Sequence, residues 1–524
     1  MGSYLNPGNE KFLEILNSEI YVDKTELIRY CNRVLNTLQK YICMSRPRRF
    51  GKSVTANMLA AYYSRGCDSG ELFSPYKIAS HESFALHRNQ YNVLFLNMQE
   101  FLSRAKSMEN MLEFMQGRVL RELRREYPKV DFYDPEDMIG CMQDIYEEYK
   151  VPFVIIIDEW DCIFREYQMD AESQRQYLDF LRDMLKDKSY VALGYMTGIL
   201  PIKKYGTHSA LNMFDEFSMI FAGPLAEYMG FTEAEVQALC DTYHMDFDET
   251  KQWYDGYFLE NAGAIYNPRS VVSAMHFHKF AHYWNQTETF EALRTYLDMN
   301  FEGLKDDVVY MMNGKNRIPV DTRGFTNDMV TFRSKDDVMT LLVHLGYLGY
   351  LSETGEVFIP NLEIRNEYAT AVGNSDWGEV SKALKNSRMT LEAIWNRQEE
   401  KVAEYISKAH YETSHLQYHD ENALSYTLSL ALYVARNYYA VYRELPTGKG
   451  VADLVYIPRK QFPEYPALVV ELKWNRSAQS AIEQVKRKEY VGSLEEYHGN
   501  MLLVGVSYDR RTRKHSCVIE EYKK

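Results

Sequence analysis

No stretch of this chain approaches the roughly 20 consecutive apolar residues that a membrane-crossing helix needs, so no bilayer-spanning segment is expected. Cysteine is sparse and scattered. The seven residues Cys31, Cys43, Cys67, Cys141, Cys162, Cys240 and Cys517 include no Cys-x-x-Cys pair, which argues against a disulfide framework and against a zinc site. A reducing cytoplasm fits that pattern. The opening Met1-Gly2-Ser3-Tyr4-Leu5-Asn6-Pro7 has no basic region followed by an apolar one, so no secretory leader is expected. Low-complexity linkers and internal repeats are also missing. What remains is the composition of a soluble protein, 46% hydrophobic and 26% charged, and 524 residues are too many for one core. Roughly three to four folding units follow from that length.

The net charge of −14 speaks against a nucleic-acid partner until its distribution is considered. From Arg443 onward there are 15 Lys/Arg against 11 Asp/Glu, an excess of +4 that leaves −18 for the rest. A basic end on an acidic chain permits phosphate contacts without requiring them, since modest excesses are common on inert surfaces.

Between the apolar run Tyr41-Ile42-Cys43-Met44 and a helix predicted from Val54 to Tyr63 stands Ser45-Arg46-Pro47-Arg48-Arg49-Phe50-Gly51-Lys52-Ser53. A loop at a helix N-terminus offers unpaired N–H groups and the positive end of the dipole, so this segment reads as a phosphate-binding loop. Lys52 would neutralise β- and γ-phosphates and Ser53 would ligate Mg²⁺, with Arg49, Phe50 and Gly51 completing the nucleotide-binding loop. Only half of G-x-x-x-x-G-K-[ST] is present, because its first glycine falls at Arg46. Taken alone, the tripeptide fits a turn before a helix-capping serine equally well.

About a hundred residues on, Val154-Ile155-Ile156-Ile157 is a β-branched run suited to a strand buried on both faces, and Asp158-Glu159 closes it. Open α/β sheets place ligands at such carboxyl ends. Asp158 is then the Mg²⁺ partner of Ser53, and Glu159 polarises the attacking water. The two motifs are expected at adjacent strand ends. Further strands are predicted at Asn92–Met98 and Val191–Gly198, and helices at Met108–Tyr127 and Tyr177–Met184. Strands alternating with helices imply a parallel sheet with right-handed crossovers. Thr197, ending the strand expected beside the acidic one, is the candidate γ-phosphate sensor. Lys203 and Lys204 read as surface residues, and Asp23-Lys24 as a solvated helix start.

Phe231-Thr232-Glu233-Ala234-Glu235-Val236 marks a new helix, capped by Thr232 with Glu235 as its partner. The following region to about 375 is mainly helical, with a hairpin over Tyr347–Asn361 that suggests a winged-helix-like unit. Trp253-Tyr254-Asp255-Gly256-Tyr257 and Tyr266-Asn267-Pro268 read as packing and turn residues.

In the last region Leu424, Leu428, Ala431, Leu432, Val434 and Ala435 line an apolar helical face preceded by Glu421. Gly448–Ile457 and Ala467–Trp474 then read as neighbouring strands. If they pair as a hairpin, Asp453 and Glu471 converge, and alternation puts Lys473 on the face of Glu471. Asp453, Glu471 and the Leu472 carbonyl are hard oxygen ligands for Mg²⁺ or Mn²⁺, and Lys473 can orient water and stabilise developing charge. A structural Glu-x-Lys ion pair is the plainer reading, but it leaves Asp453 unexplained. In the helix predicted over Ala481–Tyr490, Gln484 and Lys488 lie four apart and can steady this site or a phosphate backbone.

These pieces together resemble the bacterial predicted AAA-ATPase family, in which an ATPase-like region is fused to a PD-(D/E)XK nuclease-superfamily domain. The carriers are Tyr21-Val22-Asp23-Lys24-Thr25, the Arg46–Ser53 loop, Ile157-Asp158-Glu159-Trp160-Asp161, Gly230-Phe231-Thr232-Glu233 and Tyr266-Asn267-Pro268. In the tail they are Glu421, Gly448-Lys449-Gly450-Val451-Ala452-Asp453, Glu471-Leu472-Lys473, and Gln484 with Tyr490. The resemblance implies an α/β chain with a P-loop parallel sheet (1–225), a helical or winged-helix-like middle (226–375) and a restriction-endonuclease-like α/β domain (376–524). It also implies nucleotide roles for Lys52, Ser53, Asp158 and Glu159, and nuclease roles for Glu421, Asp453, Glu471 and Lys473. Three departures stand out. Arg46 replaces the first loop glycine, Val451-Ala452 stand where the family has an arginine and the superfamily name a proline, and Pro201-Ile202-Lys203 lacks the family's arginine.

The expected activity is ATP binding and hydrolysis joined to metal-dependent cleavage of nucleic acid, DNA in the first place, with a homo-oligomer left open. The alternative is a nucleotide-dependent switch whose tail binds nucleic acid or protein without cutting it.

Overall fold

The computed structural model describes residues 2–522 apart from 106, 203–210, 285–292, 294, 298, 300, 302, 313–315, 328, 374–377, 413–423, 425–426, 429–430, 448–449, 460–461 and 488–499. The chain forms two compact units, Met1–Met311 with Lys315–Asn366, and Met312–Gly314 with Glu367–Lys524. Among the described residues no helix is long and apolar enough to cross a membrane.

The first unit is built on β1 (Tyr41–Ser45), β2 (Asn92–Asn97), β3 (Phe153–Asp158), β4 (Val191–Gly198) and β5 (Asp215–Phe217), in the order β2-β3-β4-β1-β5 with every pair parallel. Strands β1, β3 and β4 are buried along their whole length, as their unbroken apolar runs require of a sheet covered on both faces. Helices Lys52–Tyr63, Met108–Glu126, Met138–Tyr149 and Ala171–Leu185 supply the crossovers. Ile42, Met44, Val154, Ile156, Leu193 and Tyr195 form one core with Leu59 and Tyr63 of the first of these helices.

Two features differ from expectation. The loop strand and the acidic strand are not neighbours, because β4 lies between them, paired to β1 through Tyr41↔Gly194 and to β3 through Ile155↔Gly194. Strand β5 has no signature in sequence, since its three residues run from exposed Asp215 to buried Phe217, and it pairs in parallel with β1.

The rest of this unit carries two small antiparallel sheets. One contains β6 (Phe231–Thr232), β7 (Tyr257–Leu259) and β8 (Gly263–Tyr266) in the order β6-β8-β7. The segments read as packing and turn residues are therefore partly a hairpin. The other contains β9 (Ile318–Pro319), β10 (Gly349–Leu351) and β11 (Glu356–Phe358), and β10–β11 is the hairpin expected over 347–361. Thr232 and Glu235 form the expected capping box at the start of the helix Glu233–Tyr243.

The second unit is a five-stranded sheet, β12 (Tyr439–Thr447), β13 (Gly450–Pro458), β14 (Ala467–Trp474), β15 (Met501–Asp509) and β16 (Lys514–Glu521), in sequential order. Only β14–β15 is parallel. A parallel neighbour demands a crossover, and the helix Ala478–Arg487 lies within it. That helix rests on β15 at Gly505, where an added Cβ would stand 2.4 Å from the Ala478 carbonyl oxygen. Glycine is what allows the approach. The α/β class expected for both ends of the chain holds.

Candidate functional site

The loop after β1 is shaped by two residues in the left-handed region, Arg49 at φ 71° and Gly51 at φ 94°. Gly51 adopts that conformation without steric cost and starts the helix Lys52–Tyr63. Lys52 is buried, and its Nζ donates to the carbonyl oxygens of Arg46 (3.0 Å) and Pro47 (2.9 Å) across the loop. Burial lowers its pKa, opposed by Glu159, Asp161 and Asp158. Arg49 is exposed at the loop's crest. Phe50 is buried edge-on to Tyr257 at 5.3 Å, and its carbonyl accepts the N–H of Gly230 at 3.0 Å.

Arg46, in the place of the first loop glycine, is turned inward. Its guanidinium is wholly buried and donates to the carbonyls of Ser45 and Phe217, both at 2.9 Å, so it fastens β5 to the loop. Burial pulls its pKa down to about 10.

Ser53 Oγ donates to Asp158 Oδ2 at 2.7 Å, even though β4 separates their strands. Thr197, at the end of β4, is buried and donates to Asp158 Oδ1 at 2.5 Å, which places it against the carboxylate. Asn97, at the end of β2, donates to Asp158 Oδ2 at 3.3 Å and accepts the N–H of Glu100 at 3.0 Å as a helix cap. Asn97 was not foreseen, although a polar residue ending a buried strand is the same signal that marked Thr197.

Glu159 takes φ 55°, and its carboxylate pairs with Arg165 on the short helix Cys162–Glu166. Burial raises its pKa, while Lys52 and Arg165 oppose the rise. Asp161 is fully buried, accepts the N–H groups of Ile199 (2.9 Å) and Leu200 (2.8 Å), and stands 3.4 Å from Arg165 Nε. Both Arg165 and the role of Asp161 went unread, because a six-residue spacing to Glu159 marks nothing until the turn after β3 is known.

A cavity of about 830 Å³ is lined by Arg48, Arg49, Gly51, Lys52, Ser53 and Glu159. Ile20, Val22, Tyr228, Phe231 and Val272 line the same cavity, as does Arg269 from the first turn of the helix Pro268–Phe277. The volume and the mixture of apolar walls with a few convergent charges suit a nucleotide. A hydroxyl 2.7 Å from a carboxylate at the start of the helix is a donor set that fits Mg²⁺. Lys24 is not solvated. It is mostly withdrawn from solvent, in an ion pair with Glu235.

In the second unit the register Leu454↔Val470 brings Asp453 and Glu471 to facing positions one step along β13 and β14. Asp453 Oδ2 accepts the N–H of Leu472 at 2.8 Å. Lys473 Nζ lies 3.1 Å from Glu471 Oε1 and donates to the Leu472 carbonyl at 2.8 Å. Gln484 of the crossover helix also donates to Glu471 Oε1. Glu471 and Lys473 are both buried. Ala452, in the place of the superfamily's proline, is a buried strand residue paired with Leu445. Two carboxylates and a carbonyl oxygen are donors that fit a divalent cation. Among the described residues no group of three or more acidic, His or Cys side chains could hold a metal. Glu421, Lys203, Lys204, Lys488 and Tyr490 lie outside the described residues.

A parallel sheet in the order β2-β3-β4-β1-β5, with a Gly-Lys-Ser loop after β1 and an acid pair after β3, is a P-loop nucleotide-binding arrangement. The mixed sheet carrying Asp453 and Glu471-Leu472-Lys473 is a separate arrangement in the second unit. Residues 7–207 match the family model described as "Predicted AAA-ATPase", and residues 421–517 match that of the PD-(D/E)XK nuclease superfamily. The chain thus joins a predicted AAA-ATPase region to a PD-(D/E)XK nuclease-superfamily region.

One curated relative, "Uncharacterized protein in vnfD 5′ region" of Azotobacter chroococcum mcd 1, is 25% identical over 279 residues, 51% of each chain. The chain therefore spans about half the length of the curated relative it matches. Among solved structures, the Aeropyrum pernix ORC2 protein (ADPNP-ADP complexes) is 12% identical at a TM-score of 0.31, covering 68% of this chain and 96% of that one. The A. pernix ORC1 protein in complex with DNA is 11% identical at a TM-score of 0.25, covering 72% and 98%. Those likenesses are faint, and the fold is read from the strand order itself.

Proposed function

We propose that the first unit binds and hydrolyses ATP with Mg²⁺, and that the second is a divalent-metal-dependent nuclease acting on nucleic acid, DNA in the first place. The observation that carries this reading is the convergence of Ser53, Asp158, Lys52 and Glu159 beside one cavity of nucleotide size. Bound Mg²⁺ would offset phosphate charge. Ser53 and Asp158 would hold it, with Thr197 and Asn97 fixing the carboxylate. Lys52 neutralises the β- and γ-phosphates, and Glu159 orients the attacking water. In the region 376–524 a divalent ion would polarise the phosphodiester. Asp453, Glu471 and the Leu472 carbonyl would hold it, Glu421 would complete the acidic set, Lys473 would position water, and Gln484 would steady Glu471. Seven free thiols accord with a cytoplasmic setting.

A second reading, a nucleotide-dependent switch whose tail binds without cutting, is favoured by one observation. The chain is acidic at −14 overall, and the tail from Arg443 carries an excess of only +4, little positive charge for holding a nucleic-acid backbone through a cutting step.

The full chain decides between them. Calorimetry should show Mg²⁺–ATP binding lost in Lys52→Ala and kept, without turnover, in Glu159→Gln. Labelled single- and double-stranded DNA and RNA, with Mg²⁺ or Mn²⁺ and with or without ATP, should be cut by wild type and not by Asp453→Ala. Unchanged ATP affinity in Lys52→Ala refutes the nucleotide site, equal cleavage by Asp453→Ala refutes the hydrolytic site, and no cleavage under any condition favours the switch.

A further inference from the structure

Two motifs that carry the family resemblance have no part in the chemistry above, Tyr21-Val22-Asp23-Lys24-Thr25 and Gly230-Phe231-Thr232-Glu233. They meet across the nucleotide cavity. Lys24 Nζ donates to Glu235 Oε1 and Oε2 at 2.8 and 2.6 Å and to the Glu227 carbonyl at 2.7 Å, joining segments 211 residues apart. The two side chains are 11% and 23% exposed, so water screens the pair little. Glu235 is engaged a second time, accepting the N–H of Thr232 at 2.8 Å as the capping-box acid.

The neighbouring Asp23 fastens the same segment elsewhere, accepting the N–H groups of Thr25 (2.8 Å) and Lys77 (2.9 Å). The stretch 20–25 is thereby held by Asp23 to the short helix Lys77–Ser80 and by Lys24 to the segment that carries Phe231. Ile20 and Val22 of the first segment, and Tyr228 and Phe231 of the second, line the cavity, as does Lys24 itself. These apolar walls suit a base, whereas Lys52, Arg48 and Arg49 gather where the phosphates would lie. Glu235 already neutralises Lys24, which sets it apart from those cations.

We propose that Lys24 is a positioning residue that, through Glu235, clamps the base-binding end of the nucleotide cavity shut and so sets nucleotide affinity rather than turnover. The inference rests on the nucleotide reading of that cavity. Lys24→Met keeps the aliphatic stem and removes the clamp. Lys24→Arg keeps the charge, and Glu235→Gln keeps an acceptor for Thr232 while dropping the charge that holds Lys24.

Calorimetry with ADP and with ATP, alongside steady-state ATP hydrolysis, reads the result in the full chain. Lys24→Met and Glu235→Gln should each weaken ADP and ATP by the same factor, roughly tenfold, leave kcat within about twofold, and be largely rescued in Lys24→Arg. Affinity unchanged in a folded variant overturns the clamp. So does a loss greater for ATP than for ADP, which would make Lys24 a phosphate ligand. If Lys24→Met does not fold, Glu235→Gln decides alone. If wild type binds neither nucleotide, the nucleotide reading fails and the clamp falls with it, whereas wild-type binding with unaltered variants removes only the clamp.

Discussion

Replacing Lys473 with methionine removes one ammonium group and little volume from the second unit. Lys473 is 8% exposed and Glu471 1%, with 3.1 Å between Nζ and Oε1. The variant leaves the carboxylate on β14 buried without its counter-charge, retaining the Gln484 amide. Breaking such a pair costs about 3–5 kcal/mol. At about 2–4 °C per kcal/mol for a unit of this size, its thermal transition should fall by about 6–20 °C. The same excess of negative charge should draw a divalent cation more strongly. Mn²⁺ at a hundred times its Kd would return about 2.7 kcal/mol. Scanning calorimetry of the full chain, with chelator and then with Mn²⁺, measures both effects. A fall under about 2 °C, or an equal Mn²⁺ shift in wild type and variant, refutes the assignment of Glu471 as a metal-facing carboxylate held by Lys473.

Two further outcomes are expected. Arg165 engages the carboxylate of Glu159, so Arg165→Gln should raise ATP turnover roughly threefold or more by freeing that group for water. Steady-state hydrolysis checks this, and a fall in kcat would assign the guanidinium to the phosphates instead. His515 packs at 4.8 Å on Tyr508 and meets Ser407 Oγ at 3.0 Å, and burial, with His410 adding to it, pulls its pKa down to about 3. The unfolded chain binds that proton near pH 6.5, so the stability of the second unit should be complete above about pH 6.5 and decline as the pH falls toward 3. Melting temperature against pH should flatten over that range in His515→Phe, and an unchanged acid slope would remove His515 as its source.

The sequence was most legible where one local pattern carried both structure and chemistry. The β-branched run before Asp158, the Thr232–Glu235 cap and the alternation of Glu471 with Lys473 each depend on neighbours within a few residues, and each is found in place. Contacts across long sequence separations were not legible. Nothing local announces that β4 separates β1 from β3, that Lys24 meets Glu235, or that Arg46 points away from the phosphate cavity toward Phe217. Strand β5 and the pair β7–β8 were missed for another reason. Runs of three or four residues give a period of two no room to declare itself. β15 and β16 also went unread, although Val504 and Ile519 belong to a core of the second unit.

The glycine under the crossover helix has an effect well away from itself. Gln484 reaches Glu471 because its helix lies on the bare backbone of β15, with the Ala481 Cβ only 3.1 Å and the Ile482 Cγ1 3.2 Å from where a Gly505 methyl would stand. One methyl group there would act as a shim, lifting the helix by a fraction of an ångström and carrying the Gln484 amide off the carboxylate. The tolerance of the Glu471 site is therefore set in part by a residue with no side chain and no polar role.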